Sequence, residues 1–374
     1  MPNYKSFRKG DVLGAYTLGK VLGDGRFGIV MESVSQHQPV AIKIPRHFEE
    51  AVESIQDEIK IMRVLHGSPY VLSLLDVITG DQGIQYAVME RMETTMYTML
   101  YELSKEGMHR MDIPVAKHYI RQMMTGMAWM HDHCYSNSDL KPENILVNTQ
   151  TRQLRLCDVG HARHFTGTSF ADAPQTTQNY RAVESILNRR PFTLKTDMWS
   201  VACVCYEIVN TYMLFDPEFE ETDFSPSDED ASEEAEEAEE AEEAEEEEAE
   251  EAEAEEAAAN TLSSKWSSSS EDSEDEEDQL EIDLNHLEQI TELLGNFSRQ
   301  VRKRHRIFFN AKGMLRGRTF VEQTDLEDKM KRDNTLLTSE QALAFKDFLL
   351  PMLRFREAER FTPADMLRHT WLRT

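Results

Sequence analysis

The stretch YSNSDLKPENILV, residues 135 to 147, decides the fold. Asp139, Lys141 and Asn144 stand at D-x-K-x-x-N spacing, with Pro142 in the turn and the apolar run Ile145–Val147 after it. A carboxylate, an ammonium and an amide are thereby held on a few residues of loop. Two unrelated acids near turns would be the plain structural alternative, so the neighbouring stretches have to arbitrate.

Downstream, LCDVGHA places Asp158 directly after a strand-like run. Upstream, LGDGRFGIV sets Gly23, Gly25 and Gly28 in G-x-G-x-x-G-x-V register, ending at Val30. Such a loop lets backbone N–H groups approach phosphates without side-chain clash. A Rossmann loop would need a helix after the glycines. Here strand-like sequence lies on both sides, and VAIK follows, putting Lys43 at a strand end. FEEAVESIQDEIKIMRVL then turns helical, with Ile55, Ile59 and Met62 at i, i+4, i+7. Glu58 lies beside that stripe and is the expected partner of Lys43, with Glu53 and Asp57 as alternatives. A lysine so paired becomes a fixed phosphate clamp.

The order is glycine loop, Lys, Glu, D-x-K-x-x-N, D-x-G, then RAVE at 181 to 184. In that order the chain resembles a eukaryotic protein kinase over residues 16 to 372. DEIKIM, DLKPENILV, DVGHA, NYRAVESIL, TDMWSVACVCYEI, HLEQITELLG, FKDFLLPML and MLRHTWL further resemble the SR-protein kinases, which phosphorylate arginine–serine repeats in splicing factors. The resemblance implies an α+β, two-lobed kinase fold and a serine/threonine kinase using ATP and Mg²⁺. It places the nucleotide at Leu22, Gly23, Asp24, Gly25, Arg26, Phe27, Gly28, Ile29 and Val30, with Lys43 and Glu58. Ala41 would roof the adenine, Met89 would be the gatekeeper, and the Glu90 carbonyl and Met92 amide would meet its edge. Asp139 would accept the hydroxyl proton, Lys141 would neutralise the γ-phosphate beside Thr177, and Asn144 and Asp158 would hold the metal. Asp197 would brace the loop and Arg360 would pair with Glu184.

The departures are equally specific. The usual His and Arg before the aspartate are Asn137 and Ser138, and Val183 replaces the Pro of A-P-E. Arg at that position reads an activation-loop phosphate, so Ser138 implies that no such switch operates, and Asn137 is expected to affect packing. Among docking carboxylates Glu292 matches the family, Asn285 occupies the place of another, and Asp283 is the candidate to stand in for it.

The chain has 374 residues and a formal charge of −29, very unevenly spread. Residues 216 to 283 hold 34 acids and one Lys, leaving the remainder near +4. The run EEAEEAEEAEEAEEEEAEEAEAEE has no apolar face and like charges at i, i+3 and i+4, so residues 217–280 are expected to be a disordered acidic insertion. Around it the organisation expected is an N-terminal extension (1–15), an N-lobe (16–92) and a C-lobe (93–374). Pro114 opens a helix, TDMWSVACVCYEIVNTYMLF is a central buried helix, and Thr362, Pro363 and Asp365 spell a helix start. Cys134, Cys157, Cys203 and Cys205 have no C-x-x-C spacing and imply buried or free thiols in a reduced compartment. No stretch reaches the ~18 apolar residues of a membrane span. The expected partners are Arg/Ser-rich protein substrates, with no nucleic acid or membrane, in a monomer of the cytoplasm and nucleus. Two alternatives are a pseudokinase scaffold, and a general serine/threonine kinase whose acidic segment binds basic proteins.

Overall fold

The computed structural model describes residues 7–35, 38–46, 48–80, 83–105, 111–174, 176–218, 270–318 and 323–373. They form two units: residues 1–215 with 324–374, and residues 216–323.

In the first unit, β1 (Val12–Leu13) pairs with β2 (Tyr16–Thr17). The part of the expected N-terminal extension nearest β2 is therefore structured, and Leu13 joins the core of the sheet. The strands β3 (Val21–Asp24), β4 (Gly28–Ser35), β5 (Gln38–Pro45), β6 (Leu74–Thr79) and β7 (Gln85–Glu90) follow. They make an antiparallel sheet of order β3-β4-β5-β7-β6. Val40, Ile42, Ile44 and Val88 pack with Met31 and Tyr86 in its core. Helix α1 (Glu49–Val64) crosses after β5 and buries Ala51, Ile55, Ile59 and Met62, as the stripe requires. Glu49 and Glu50 in its first turn and Arg63 in its last complement the helix dipole.

Past β7 the first unit is mainly helical. After α2 (Met96–Lys105), α3 (Ile113–Asp132) starts with Pro114 in its first turn and buries Ala116, Ile120, Met123, Met127 and Met130. Following the four-residue α4 (Val183–Ile186), α5 (Asp197–Asn210) is buried at every position. The Thr362–Asp365 capping box forms as spelled, with Thr362 Oγ1 accepting from Asp365 N at 3.2 Å. All four cysteines are free thiols, and Cys203 and Cys205 are buried. No helix among the described residues is long and apolar enough to cross a membrane. The unit is thus a β-rich part followed by a helical one, as the motif order led us to expect.

In the second unit the closing helix starts earlier than expected. The acidic insertion was expected to be disordered to residue 280 and its closing helix to begin near Leu284. The helix instead runs Ser270–Leu294. Leu284, Leu287 and Ile290 are buried and anchor its C-terminal half, and helix extends backward from that anchor at little cost. Residues 219–269, the rest of that expectation, lie outside the described residues.

Glu207 on α5 is buried and accepts a hydrogen bond from Tyr180 Oη at 2.8 Å. Burial lifts its carboxyl to about 7, against the pull of that hydrogen bond. A folded-state value above the unfolded one gives stability that is full below about 4.5 and lost as pH rises through 7. The loss amounts to about 3 kcal/mol at 1.36 kcal/mol per unit. Glu207→Gln keeps an acceptor and removes the titration. Its melting temperature should rise relative to the parent between pH 5 and pH 8, and a pH-independent offset would show that the carboxyl is not held neutral.

Candidate active site

Two non-glycine residues with left-handed backbone, Ser138 (φ 68°) and Asp158 (φ 53°), flank the site. Each such conformation costs ~1–3 kcal/mol and persists only where its surroundings impose it. Asp197, the first residue of α5, imposes it on Ser138. Its carboxylate accepts from Asn137 N at 2.8 Å, Ser138 N at 3.0 Å and His131 Nε2 at 2.8 Å. Thr176 Oγ1 donates to the Ser138 carbonyl at 2.9 Å from the other side.

The turn so fixed presents a buried Asp139. Asp139 Oδ1 accepts from Thr177 N at 3.1 Å and Thr177 Oγ1 at 2.8 Å. Lys141 Nζ lies 3.0 Å from Asp139 Oδ2 and donates to Thr177 Oγ1 at 2.7 Å. Asn144 closes the 3₁₀ turn Pro142–Asn144, and its Nδ2 donates to Asp139 O at 2.8 Å and Oδ2 at 3.2 Å. With Nδ2 so engaged, the amide oxygen of Asn144 is the hard acceptor of that side chain. Cys157 N donates to Asn144 O at 2.9 Å, which ties Asp158 to the same turn.

Lys43, on β5, donates to Glu58 Oε2 at 2.6 Å and to Asp158 Oδ1 at 2.7 Å. Glu58 is thus the partner, and neither Glu53 nor Asp57 takes that place. Burial works against the charge on Lys43, but the two carboxylates outweigh it and raise its pKa above the ordinary lysine value. Burial likewise works against the Asp158 charge, and Lys43 outweighs it and holds that carboxyl below its usual range. Glu58, almost wholly enclosed, is pushed up by burial, with Lys43 pulling it back.

The glycine loop closes by Gly25 N donating to Gly28 O at 3.0 Å. A Cβ on Gly28 would come 2.7 Å from the Ile44 carbonyl, so only glycine allows β4 to pack there. Arg46 pins the loop through Nε to Gly25 O at 2.9 Å, N to Phe27 O at 2.9 Å and an ion pair with Asp24. Asp24 is therefore a brace of the loop. Arg26 stacks its guanidinium 5.3 Å from the Phe27 ring, and Phe27 meets His161 edge-on at 6.4 Å. Leu22 is partly exposed on β3, and Ile29 and Val30 continue on β4. Ala41 faces Met89 across β5 and β7, and both are buried. Glu90 ends β7, its carboxylate taken by Ser73 N and Arg155 Nε, each at 2.9 Å, and Met92 follows two residues later.

Arg46, His131 and Thr176 went unnoticed in the sequence. Arg46 follows the strand as any exposed cation would, and His131 and Thr176 act over long sequence separations. Asn137 was read as a packing residue. Its Oδ1 accepts from Asp139 N at 3.2 Å, so it also orients the aspartate.

In the second unit, Glu281, Asn285, Glu288 and Glu292 fall on one stripe of the helix Ser270–Leu294, at i, i+4, i+7 and i+11. Arg318 Nε bonds Glu288 at 2.7 Å, and its Nη2 reaches Glu281 at 2.5 Å and Asn285. Asp283 does not share this stripe. It is offset from Asn285 by two residues, about 200° around the helix, and accepts from Gln279 Nε2 at 3.1 Å. It cannot replace the carboxylate absent at Asn285.

The family model for the protein kinase domain matches residues 16–372. The chain belongs to the protein kinase family. It is a serine/threonine protein kinase with cyclin-dependent and signal-regulated relatives. It is 30% identical over 219 residues to cell division control protein 2 homolog D of Antirrhinum majus, covering 55% of this chain and 69% of that one. It is 32% identical over 204 residues to cyclin-dependent kinase B2-1 of Arabidopsis thaliana, covering 52% and 65%. It is 30% identical over 217 residues to extracellular signal-regulated kinase 2 of Dictyostelium discoideum, covering 54% and 57%. A solved kinase-domain crystal structure shares the fold, with TM-score 0.67 at 17% identity over 99% of this chain and 98% of that one. The motif resemblance to SR-protein kinases is finer than these matches resolve.

Kinases of this family use ATP and Mg²⁺, and the donor set here fits both. Asp158 and the Asn144 amide oxygen are hard oxygen ligands of the kind Mg²⁺ takes alongside phosphates and water. The missing Cβ of Gly28, the Lys43 ammonium and the small Ala41 suit a triphosphate and a flat base. Asn137→Ala would free the Asp139 amide without touching a carboxylate. Its kcat should fall ~10-fold or more through misplacement of the aspartate, with KM for ATP unchanged, and steady-state kinetics of phosphoryl transfer checks this.

Proposed function

We propose that this kinase transfers the γ-phosphate of ATP to serines in arginine–serine-rich proteins such as splicing factors, in cytoplasm and nucleus. The observation that carries the catalytic part is the hydrogen-bonded cluster of Asp139, Lys141, Thr177 and Asn144, joined through Asn144 O to Cys157 N and so to Asp158 and Lys43. Asp139 orients the substrate hydroxyl and takes its proton. Lys141 screens the charge that develops on the transferred group. Lys43, held by Glu58, is placed to position the phosphates, and Asn144 and Asp158 would hold a Mg²⁺, which would supply charge neutralisation at the phosphate oxygens. Most of the rate gain then comes from fixed positions and charges rather than from covalent chemistry.

The substrate class is supported by the helix Ser270–Leu294. Its stripe already accepts a guanidinium, that of Arg318, through two carboxylates and an amide. Glu292 extends the stripe by one more carboxylate. Charge-assisted hydrogen bonds of this kind contribute about 1.5–3 kcal/mol each before screening. The remainder of the chain, near +4 outside residues 216 to 283, has no bulk field that would select arginines.

Labelled-ATP transfer to an arginine–serine repeat peptide tests the proposal, with an alanine-spaced serine peptide for comparison. Asp139→Asn should lower kcat by at least ~10²-fold with ATP affinity little changed. Glu292→Lys should raise KM for the repeat peptide while leaving that for a generic basic protein alone. Equal KM changes would leave a general serine/threonine kinase. An Asp139→Asn enzyme of full activity would sink the catalytic assignment itself.

Activation follows from Ser138. The segment after Asp158 is held by Thr176 Oγ1 on Ser138 O, Arg181 Nε on Thr176 O at 3.2 Å and Arg163 Nη1 on Asp172 O at 2.8 Å. These contacts need no phosphate. Protein verified by mass to be unphosphorylated at residues 161–180 should be fully active straight from bacterial expression. Protein that stays inert until an upstream kinase treats it would refute this.

A further inference from the structure

Residues 299 to 318 carry eight Lys and Arg and no acid, inside the same unit as the acidic run. One of these cations, Arg318, is neutralised by Glu281 and Glu288. Others surround a cavity of about 330 Å³ that Arg299, Arg302, Lys303, Arg306, Asn310 and Lys312 line, with no acid among its walls. We infer that this cavity binds the phosphoryl group of a phosphoserine or phosphothreonine peptide.

The cavity is built rather than incidental. Asn310 N donates to Met314 O at 2.9 Å, Gly313 N to Asn310 O at 2.9 Å and Met314 N to Asn310 Oδ1 at 3.0 Å, so the loop bearing Lys312 is locked. Gly313 has φ +81°, and a Cβ there would stand 2.8 Å from Arg302 Nη1. Only glycine lets the guanidinium lie on the loop, where Nη1 donates to Gly313 O at 3.1 Å. Arg302 Nε is buried beside it with no hydrogen-bond partner. An orphan guanidinium donor among further cations calls for an anion with several acceptor oxygens.

Among anions, a phosphomonoester fits best. It carries about −1.5 to −2 charge and three acceptor oxygens, whereas a glutamate has one charge and two oxygens. Group for group, a carboxylate of the chain's own acidic run is the weaker ligand. Single-stranded nucleic acid is disfavoured because no aromatic side chain lines the cavity for bases to stack on.

Fluorescence anisotropy on the full chain tests this, using a labelled phosphoserine peptide, the same peptide with Glu in place of phosphoserine, and an RNA oligonucleotide, at 0.15 M salt. The phosphopeptide should bind saturably and about 10-fold more tightly than the Glu peptide, and inorganic phosphate should displace it. Arg302→Lys keeps the charge but removes the fork and should weaken binding about 10-fold. If that variant does not fold, the exposed pair Arg299→Ala and Lys303→Ala should produce the same loss. Equal affinity for phosphoserine and Glu peptides, tighter binding of RNA, or unchanged affinity in the folded variants would overturn the assignment.

Discussion

The buried carboxylate of Asp197 is the point on which the site depends. It stands at the N-terminus of α5, a helix with no exposed residue, and accepts three hydrogen bonds from His131 and the Asn137–Ser138 backbone. Each such charge-assisted bond contributes about 1.5–3 kcal/mol, enough together to hold Ser138 in its left-handed conformation against a cost of ~1–3 kcal/mol. With Ser138 so turned, Asp139 points toward Thr177 and Asn144. At the far end of the same segment the buried Glu184 and Arg360 form a two-point ion pair at 2.6 and 2.7 Å, and Arg360 covers the Trp199 ring of α5. One apolar helix thus serves as the reference against which both ends of the segment are fixed.

The β-rich lobe solves a different problem, that of keeping a largely enclosed lysine charged. Desolvation works against the charge on Lys43, and each neighbouring carboxylate works for it. Two carboxylates from different elements, Glu58 on α1 and Asp158 after the second left-handed turn, shift that balance decisively. The position of α1 is then coupled to the electrostatics of the site. Moving α1 away would remove Glu58 and leave the Lys43 ammonium held by Asp158 alone.

Much of this was legible in the sequence because it is written locally. The stripe of α1, Pro114 in α3, the uniform apolarity of α5 and the Thr362–Asp365 box each lie within a few residues, and each element formed where its pattern stood. Partners chosen by tertiary approach were not legible unless a family resemblance supplied them. Arg46 reaching back to Asp24 and Gly25, and Thr176 reaching Ser138, depend on loop geometry that no spacing encodes. The start of the helix that closes the acidic insertion was placed too late for a related reason. Local charge argues against helix ahead of Leu284, but the buried Leu284, Leu287 and Ile290 propagate helix backward from it, since extension is far cheaper than nucleation.

The substitution of Ser138 for arginine changes what the rest of the segment must do. An arginine there would leave a buried cation in need of an anion, and a phosphate would supply it. Ser138 needs neither, because its hydroxyl shares a hydrogen bond with Ser136 at 2.7 Å and its carbonyl is taken by Thr176. Three arginines of this region donate to backbone carbonyls, Arg163 to Asp172, Arg181 to Thr176 and Arg190 to Ala171. A guanidinium that caps a carbonyl in the resting chain gains little from a new phosphate nearby, since binding it would first break the existing bond. The ordering that a phosphate contributes elsewhere is here distributed over several neutral contacts, each small and none dependent on a modification.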